Sequence, residues 1–372
     1  MLQAAKGQAA PETGHVYARA RELWERLGAP SEFLQVPYGQ SRYHAFRGEF
    51  DLALRLDEDL LRLSGQRNDS AGLVLGHFSS GHNLMFVGEF APARSHLEEA
   101  LALYDPIPHR SLAHQVGIHL QVGSQAYLGI VLFWLGFPDR ALAQSNAAIA
   151  QARRLAHPPS LAASLAIGVR LLSLVGDDKA LDERAKQLVT VATEQGFPYW
   201  RAQGTIYHGW VKVKNGDVTE GMSLLGRGSS TYRATGAELF VPHYIDLLAG
   251  ACEITGQIEE AVTQLDEALQ IVERTGERWF SAELNRHKGQ LLLQQGHTEA
   301  AEELYRKALS FAREQEAKLW ELRAAVSLAR LCRDQGRHAE AHDLLAPVYG
   351  WFTEGFDTPD LKNVKALLDA LA

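Results

Sequence analysis

The sequence predicts an all-α solenoid of stacked helical hairpins with a forty-residue period, and three regularities predict it. A glycine followed five residues later by a small residue returns at Gly48/Ala53, Gly88/Ala93, Gly136/Ala141, Gly216/Gly221, Gly256/Ala261, Gly296/Ala301 and Gly336/Ala341, with Gly176 in the same series and Ala180 one place early. Successive glycines stand 40, 48, 40, 40, 40, 40 and 40 residues apart, so the array carries one eight-residue insertion, near Tyr104 to Gln115. Between the glycines, apolar residues recur at three- and four-residue spacing, and strand-like alternation is absent.

Counting back forty from Gly48 reaches Gln8, which makes "APETGHVYARARELWERLG" (Ala10 to Gly28) the second helix of a unit whose first helix is mostly missing. Residues 1–32 thus read as a partial repeat, and the chain starts inside a unit. Residues 33–357 read as eight full units. In each, a first helix such as Ser281 to Gln295 precedes the turn glycine, and a longer second helix such as Thr298 to Gln315 follows it. A second glycine, at Gly196, Gly236 and Gly276, closes the longer helix, and an aromatic four residues on opens the next unit: Trp200, Phe240, Phe280 and, in the same series, Trp320. This joint is why "ATGAELF" at Ala234 and "RTGERWF" at Arg274 are nearly the same seven letters. Seven residues before each turn glycine stand Ser41, Gly81, Gly129, Val169, Gly209, Ala249, Gly289 and Ala329, all but one small, as close antiparallel helix contact requires. In the last segment, 358–372, Thr358, Pro359 and Asp360 read as N-cap, first helical residue and first-turn acid of a capping helix.

This grammar of small helix residues and turn glycines resembles the tetratricopeptide repeat, with the extra length lying in the second helix. The likeness implies a right-handed superhelical solenoid. "ELRAAVSLARL" (Glu321 to Leu331), "LLAPVYGWFTEGFDTPDLKNVKALLDAL" (Leu344 to Leu371) and "GEFAPARSHLEEALALYDP" (Gly88 to Pro106) are similar to the repeat region of a bacterial signalling family. In that family a class III adenylate/guanylate cyclase domain, an AAA-type ATPase and a tetratricopeptide-like array share one polypeptide. The resemblance implies a sensory or assembly module, because no phosphate-cradling G-x-x-x-x-G-K-[ST] loop occurs in these 372 residues.

Composition points the same way. A formal net charge of -8 argues against a general nucleic-acid or anionic-membrane binder. Two cysteines, Cys252 and Cys332, cannot build a disulfide framework; no apolar run nears a membrane span, and the N-terminus has no signal-peptide pattern. A reducing, cytoplasmic setting follows as the expectation. Fifteen histidines invite a metal, but His338 and His342 supply only two ligands, and His109, His114 and His119 are spaced so as to fan around a helix. The acid pairs sit on amphipathic helices, and no nucleophile stands beside a base. The reading is therefore non-catalytic, with no cofactor.

What is left is a surface. In such an array the first helices line the concave side, with positions 13, 10, 6 and 3 before each turn glycine facing the groove. These include Tyr38, Arg42, Phe78, His82, Met85, Phe133 and Arg170 in one half, and Gln203, Trp210, His243, Asp246, Glu253, Glu283, Arg286, Gln290, Arg323, Arg330 and Arg333 in the other. The lining is aromatic at one end and charged at the other, which suits a protein or peptide partner. The alternative is a small-molecule sensor, which a compact aromatic pocket around Phe133, Arg170 and Trp210 would favour. Charges in the second half could instead pair between units, as Asp246 with Arg286 and Glu283 with Arg323. The truncated first unit also leaves an apolar helix face that could pair with a second copy.

Overall fold

The computed structural model describes residues 9–30, 33–109 and 111–371. Residues 1–8 and 31–32 of the expected partial repeat, Arg110 of the expected insertion and Ala372 of the expected capping segment lie outside the described residues. A lone helix, α1 (Pro11–Arg26), comes first. Hairpins follow: α2 and α3 (Gln35–Phe46, Phe50–Gln66), then α4 and α5 (Ser70–Val87, Phe90–Leu103). The insertion holds the short α6 (Leu112–Val116). The next hairpins are α7 and α8 (Leu120–Trp134, Pro138–Arg154), α9 and α10 (Pro158–Val175, Asp178–Glu194), and α11 and α12 (Pro198–Lys214, Val218–Arg233). The array ends with α13 and α14 (Val241–Ile254, Ile258–Thr275), α15 and α16 (Ser281–Gln294, Thr298–Glu314), α17 and α18 (Lys318–Asp334, His338–Gly350), and the single α19 (Pro359–Leu371). No strand occurs among the described residues.

The first helix of each pair lies inside and the second outside. α7 and α9 are buried nearly all round, whereas α14 and α16 bury one stripe (Ala261, Leu265, Ala268; Ala301, Tyr305, Ala308) and turn their charges outward. The small residues sit where the helices of a pair touch. A methyl at Gly209 would come within 2.8 Å of Leu224 Cβ and 2.9 Å of the Gly221 carbonyl, and one at Gly129 within 2.9 Å of the Ala141 carbonyl. All eight turn glycines have positive φ, from 72° to 91°. The joints between units need the same left-handed residue. Where the sequence offers no glycine there, Asn68, Ala156 and Glu316 take φ of 51°, 49° and 54°.

The solenoid winds tightly enough to close on itself. The Glu238 amide donates to the Phe46 carbonyl at 2.8 Å, and the Arg278 and Trp279 amides donate to the Phe86 carbonyl at 2.7 and 3.1 Å. Each pair bridges residues just under five units apart. The turn of one unit thereby seats on the joint one superhelical turn later. Gly136 meets Lys318, Trp351 and Phe352 in the same way, and Gly176 meets Pro359 of α19. Asp139 accepts from the Gly355 amide at 3.0 Å, and Glu354 accepts from Arg140 Nε at 2.8 Å. α9 is long and apolar enough to cross a membrane by length and composition, where the sequence reading expects no such run; 72% of it is buried within the solenoid, as the inner helix of its unit.

Candidate functional site

Closure changes what the inner surface is. Residues expected to face an open groove are instead packed around the superhelix axis: Phe78, His82, Phe133 and Arg170 of the first half and His243 of the second are each no more than 1% exposed, with Tyr38 and Arg42 almost as deep. Aromatic contacts run along this axis. Phe78 lies 6.4 Å from Tyr38 and 6.0 Å from Tyr127, and His82 meets Tyr127 edge-on at 4.7 Å and stacks on Phe46. Farther along, His243 packs on Phe280 at 4.7 Å and bonds the Tyr207 hydroxyl at 3.2 Å, while Phe133 reaches the edge of Trp320. Burial, then the charges of Arg42 and Arg170, push His82 and His243 well below the ordinary histidine range, so both rings are neutral.

This packing leaves a cavity of about 290 Å³. Its ring walls come from Tyr38 and Phe46 of α2, Tyr127 of α7, Tyr199 and Trp200 of α11, and Phe240 at the joint before α13. The inner helix α9 adds Ala163, Ala166, Ile167 and Arg170, and α2 adds Arg42. The fourth side is the insertion: Ala113, His114, Val116 and Gly117 line the space, so the one interruption of the forty-residue period builds a wall of the cavity. Arg170 spans the floor. One of its terminal nitrogens donates to Gln203 Oε1 at 3.0 Å and to the Tyr244 hydroxyl at 2.9 Å, and its guanidinium lies 3.3 Å from the centre of the Phe240 ring. Phe240 holds a left-handed backbone, φ 64°, unusual for a bulky residue, with its amide fixed by Glu277 Oε1 at 2.9 Å. Trp279 Nε1 donates to the same oxygen at 2.6 Å, and burial pushes the Glu277 carboxyl up to about 7.

Of the predicted residues, Tyr38, Arg42, Arg170 and Gln203 converge on this cavity. Phe78 and His82 back its walls, and Phe133 and His243 lie farther along the axis. Trp210 stands apart, covering Gly250 with the Lys214 amine 5.7 Å from its ring, so the pocket expected around Phe133, Arg170 and Trp210 forms on Arg170 with other rings. Sequence reasoning missed Phe46, Tyr127 and Tyr199, which fall off the 13, 10, 6, 3 register and meet only because the superhelix closes.

The charged half is a lattice of ion pairs. Asp246 pairs with His287 at 2.6 Å rather than with Arg286, and His287 also meets Glu253 at 3.1 Å. Arg286 grips Glu283 of its own helix at 2.9 and 2.8 Å. Arg323 reaches Glu283 at 3.6 Å as expected, and Asp360 of α19 at 2.8 Å. Opposed by burial, Asp246 and Glu253 raise His287 to about 9. Glu283, Arg286, Arg323 and Asp360 line a second, polar hollow of about 250 Å³ beside the exposed Arg330. The histidines serve as hydrogen-bond partners: His109 Nε2 with Ser70 Oγ and His119 Nε2 with the Tyr104 hydroxyl, each at 3.0 Å. No cluster of three metal-ligating side chains occurs among the described residues. Cys252 and Cys332 are buried free thiols, raised by that burial.

Residues 243–314 and 280–346 match the tetratricopeptide repeat family. The whole solenoid superposes on a Rap protein complexed with Competence and Sporulation Factor, at TM-score 0.59 and 13% identity, covering 92% of this chain and 98% of that one. The fold is tetratricopeptide-like. A second tetratricopeptide-like neighbour is the Rap conjugation gene regulator of plasmid pLS20 with the Phr* peptide, at TM-score 0.57 and 12% identity, covering 92% and 99%. A third is the APC/C Cut9–Hcn1 assembly, at TM-score 0.53 and 11% identity, covering 95% and 59%. In sequence, an uncharacterised protein of Rhizobium meliloti (strain 1021) is 26% identical over 216 residues, 58% of this chain; the match spans 21% of that protein's length.

Proposed function

We propose that the chain is a non-catalytic regulatory scaffold of the protein-interaction type, whose partner contacts are governed by a ligand held in the axial cavity. The observation that carries this reading is the closure itself. It replaces an open groove with a ring-walled pocket of about 290 Å³, close to the lower end of small-ligand sites. Helices from four units and the insertion meet around that space, so an occupant touches both ends of one superhelical turn. A ligand that prefers one curvature of the solenoid then biases the whole outer surface. Neighbours of this shape, the Rap proteins with Competence and Sporulation Factor and with the Phr* peptide, support the idea of a regulator bound by the solenoid. The resemblance of the C-terminal segment extends the reading to a sensor module of cyclase/ATPase signalling proteins. A peptide partner is the second reading for the polar hollow, where the exposed Arg330 stands outside the ion pairs that hold Arg286 and Arg323 and could meet an acidic chain.

The test is to fill the cavity. Ala166→Trp places an indole where α9 faces it, and a variant matched to wild type in helicity and melting temperature is compared by affinity capture from a lysate of the source organism. The proposal expects a protein whose recovery differs severalfold between the two; identical recoveries of every captured protein contradict it.

A further inference from the structure

Among the described residues, the cavity is lined by two buried cations and no carboxylate. Arg42 and Arg170 are 6% and 1% exposed, both line the space, and no ion pair joins either to a carboxylate among the described residues. Arg42 Nη1 and Arg170 Nε have no hydrogen-bond partner at all. Nearby carboxylates are engaged elsewhere. Asp57 is held by Ser41 Oγ at 2.6 Å and Asn83 Nδ2 at 2.7 Å, and Glu277 by the Phe240 amide and Trp279. The chain has 45 acidic residues against 37 basic, yet none of the acidic ones among the described residues lines this cavity; its other titratable lining groups are His114, His157 and tyrosine hydroxyls. A buried guanidinium without an anionic partner is costly, and its planar donors match the oxygens of a carboxylate or phosphate.

We propose that the cavity binds a small organic oxyanion, its carboxylate or phosphate held by Arg42 and Arg170 and its apolar body packed against Tyr38, Tyr127, Trp200 and Phe240. This rests on the ligand-governed reading above and names the ligand class. Ring walls favour an aromatic or flat apolar body over a sugar, which would need many more donors and acceptors than Gln203 and the tyrosine hydroxyls provide. The occupant is a free small molecule, because about 290 Å³ holds one compact body and not a longer extended chain.

The experiment uses the full chain and four probes at constant ionic strength: benzoate, phenyl phosphate, neutral benzamide, and the tripeptide Gly-Gly-Phe with a free carboxylate. Binding is read by calorimetry and by melting temperature, which at ten times the dissociation constant rises by ~1–2 °C for a chain of this size. The expected result is that benzoate or phenyl phosphate binds at least about tenfold more tightly than benzamide, and that Arg42→Gln and Arg170→Gln each remove most of that preference. The better of the two anions identifies the oxyanion. Should Arg170→Gln fail to fold, the benzoate and benzamide comparison and Arg42→Gln still decide. Equal binding of anion and amide, or no binding of any probe, overturns the inference, and binding of the tripeptide alone overturns the small-molecule source. If anion and amide bind equally and Ala166→Trp abolishes both, the oxyanion fails while the ligand-governed scaffold stands; if Ala166→Trp also leaves every captured protein unchanged, both fail.

Discussion

Gly136 and Gly256 occupy the same place in the repeat, with φ of 91° and 76°, and yet they live in different surroundings. A methyl added at Gly136 would fall 2.5 Å from the Trp351 ring and 2.8 Å from Lys318 Cβ; at Gly256 nothing lies within 4 Å. The contrast holds for the two halves. Gly48, Gly88, Gly136 and Gly176 seat on the next superhelical turn, whereas Gly216, Gly256, Gly296 and Gly336 meet no atom within that distance. Inside, the first half is filled by rings around two unpaired arginines, and the second by ion pairs. An array of equivalent units thus becomes a molecule with a closed half and an open half. The difference comes from how far around the superhelix each unit sits, because only units with a successor about five places on can be covered.

The largest expected effect separates the two turns. Both glycine-to-alanine changes incur the left-handed penalty of about 1 kcal/mol, but Gly136→Ala also forces an overlap with Trp351 and Lys318 worth roughly 2 kcal/mol more. Urea denaturation should therefore show a loss of about 3 kcal/mol for Gly136→Ala and about 1 kcal/mol for Gly256→Ala. Equal losses would mean that the covered turns are not covered.

The ion-paired half should show its own pH signature. His287 is raised to about 9 from an ordinary 6.5, so its contribution is fully present below pH 6.5 and is lost as pH rises through 9. The groups facing it are Asp246 and Glu253, which attract its charge, and Arg286, which opposes it. The decline is on the order of 2–3 kcal/mol in wild type and should be absent in His287→Gln. Asp57 and Glu277 of the closed region, raised to about 7 by burial, lose their contribution lower, as pH rises from about 4 through 7. His287→Gln should leave that earlier limb in place. A flattening of both limbs would show that the two halves are not electrostatically separate.

The smallest effect concerns a joint. Glu316 holds φ of 54° where Gly276 stands one unit earlier, and glycine relieves that strain at some entropic cost. Glu316→Gly should raise stability by a few tenths of a kcal/mol, measured by the same denaturation; a loss of 1 kcal/mol or more would contradict the strain.

Much of this was legible in the sequence. The turn glycines and the joint aromatics Trp200, Phe240, Phe280 and Trp320 follow from a local helical grammar that repeats every forty residues, and so does the choice of inner helix. Arg42 and Arg170 were placed on the inner face by the same count. The closure was not legible, because it joins Phe46 to Glu238 and Phe86 to Arg278, and the superhelical curvature that brings them together sums small rotations over many units. For that reason Gly136 and Gly256 look alike in the sequence, the count from the turn glycine does not single out Tyr127 and Tyr199 as cavity walls, and it gives Trp210 and Arg170 the same inner-face standing although only Arg170 lines the cavity. The pairing of Asp246 with His287 was missed for a smaller reason: on adjacent inner helices a shift of one residue selects a different partner. The family match, at 243–346, falls in the open half, and the residues that line the cavity precede it in the chain.

The claim on which the account turns is that the superhelix closes, and amide hydrogen exchange tests it most directly. The Glu238 and Arg278 amides sit in loops and are protected only by the Phe46 and Phe86 carbonyls of the preceding superhelical turn. The account predicts that both exchange at least about a hundredfold more slowly than freely exposed loop amides, and that the covered joints respond to Gly136→Ala while the Gly256 turn does not. Exchange of Glu238 and Arg278 at the rate of exposed loop amides would contradict it.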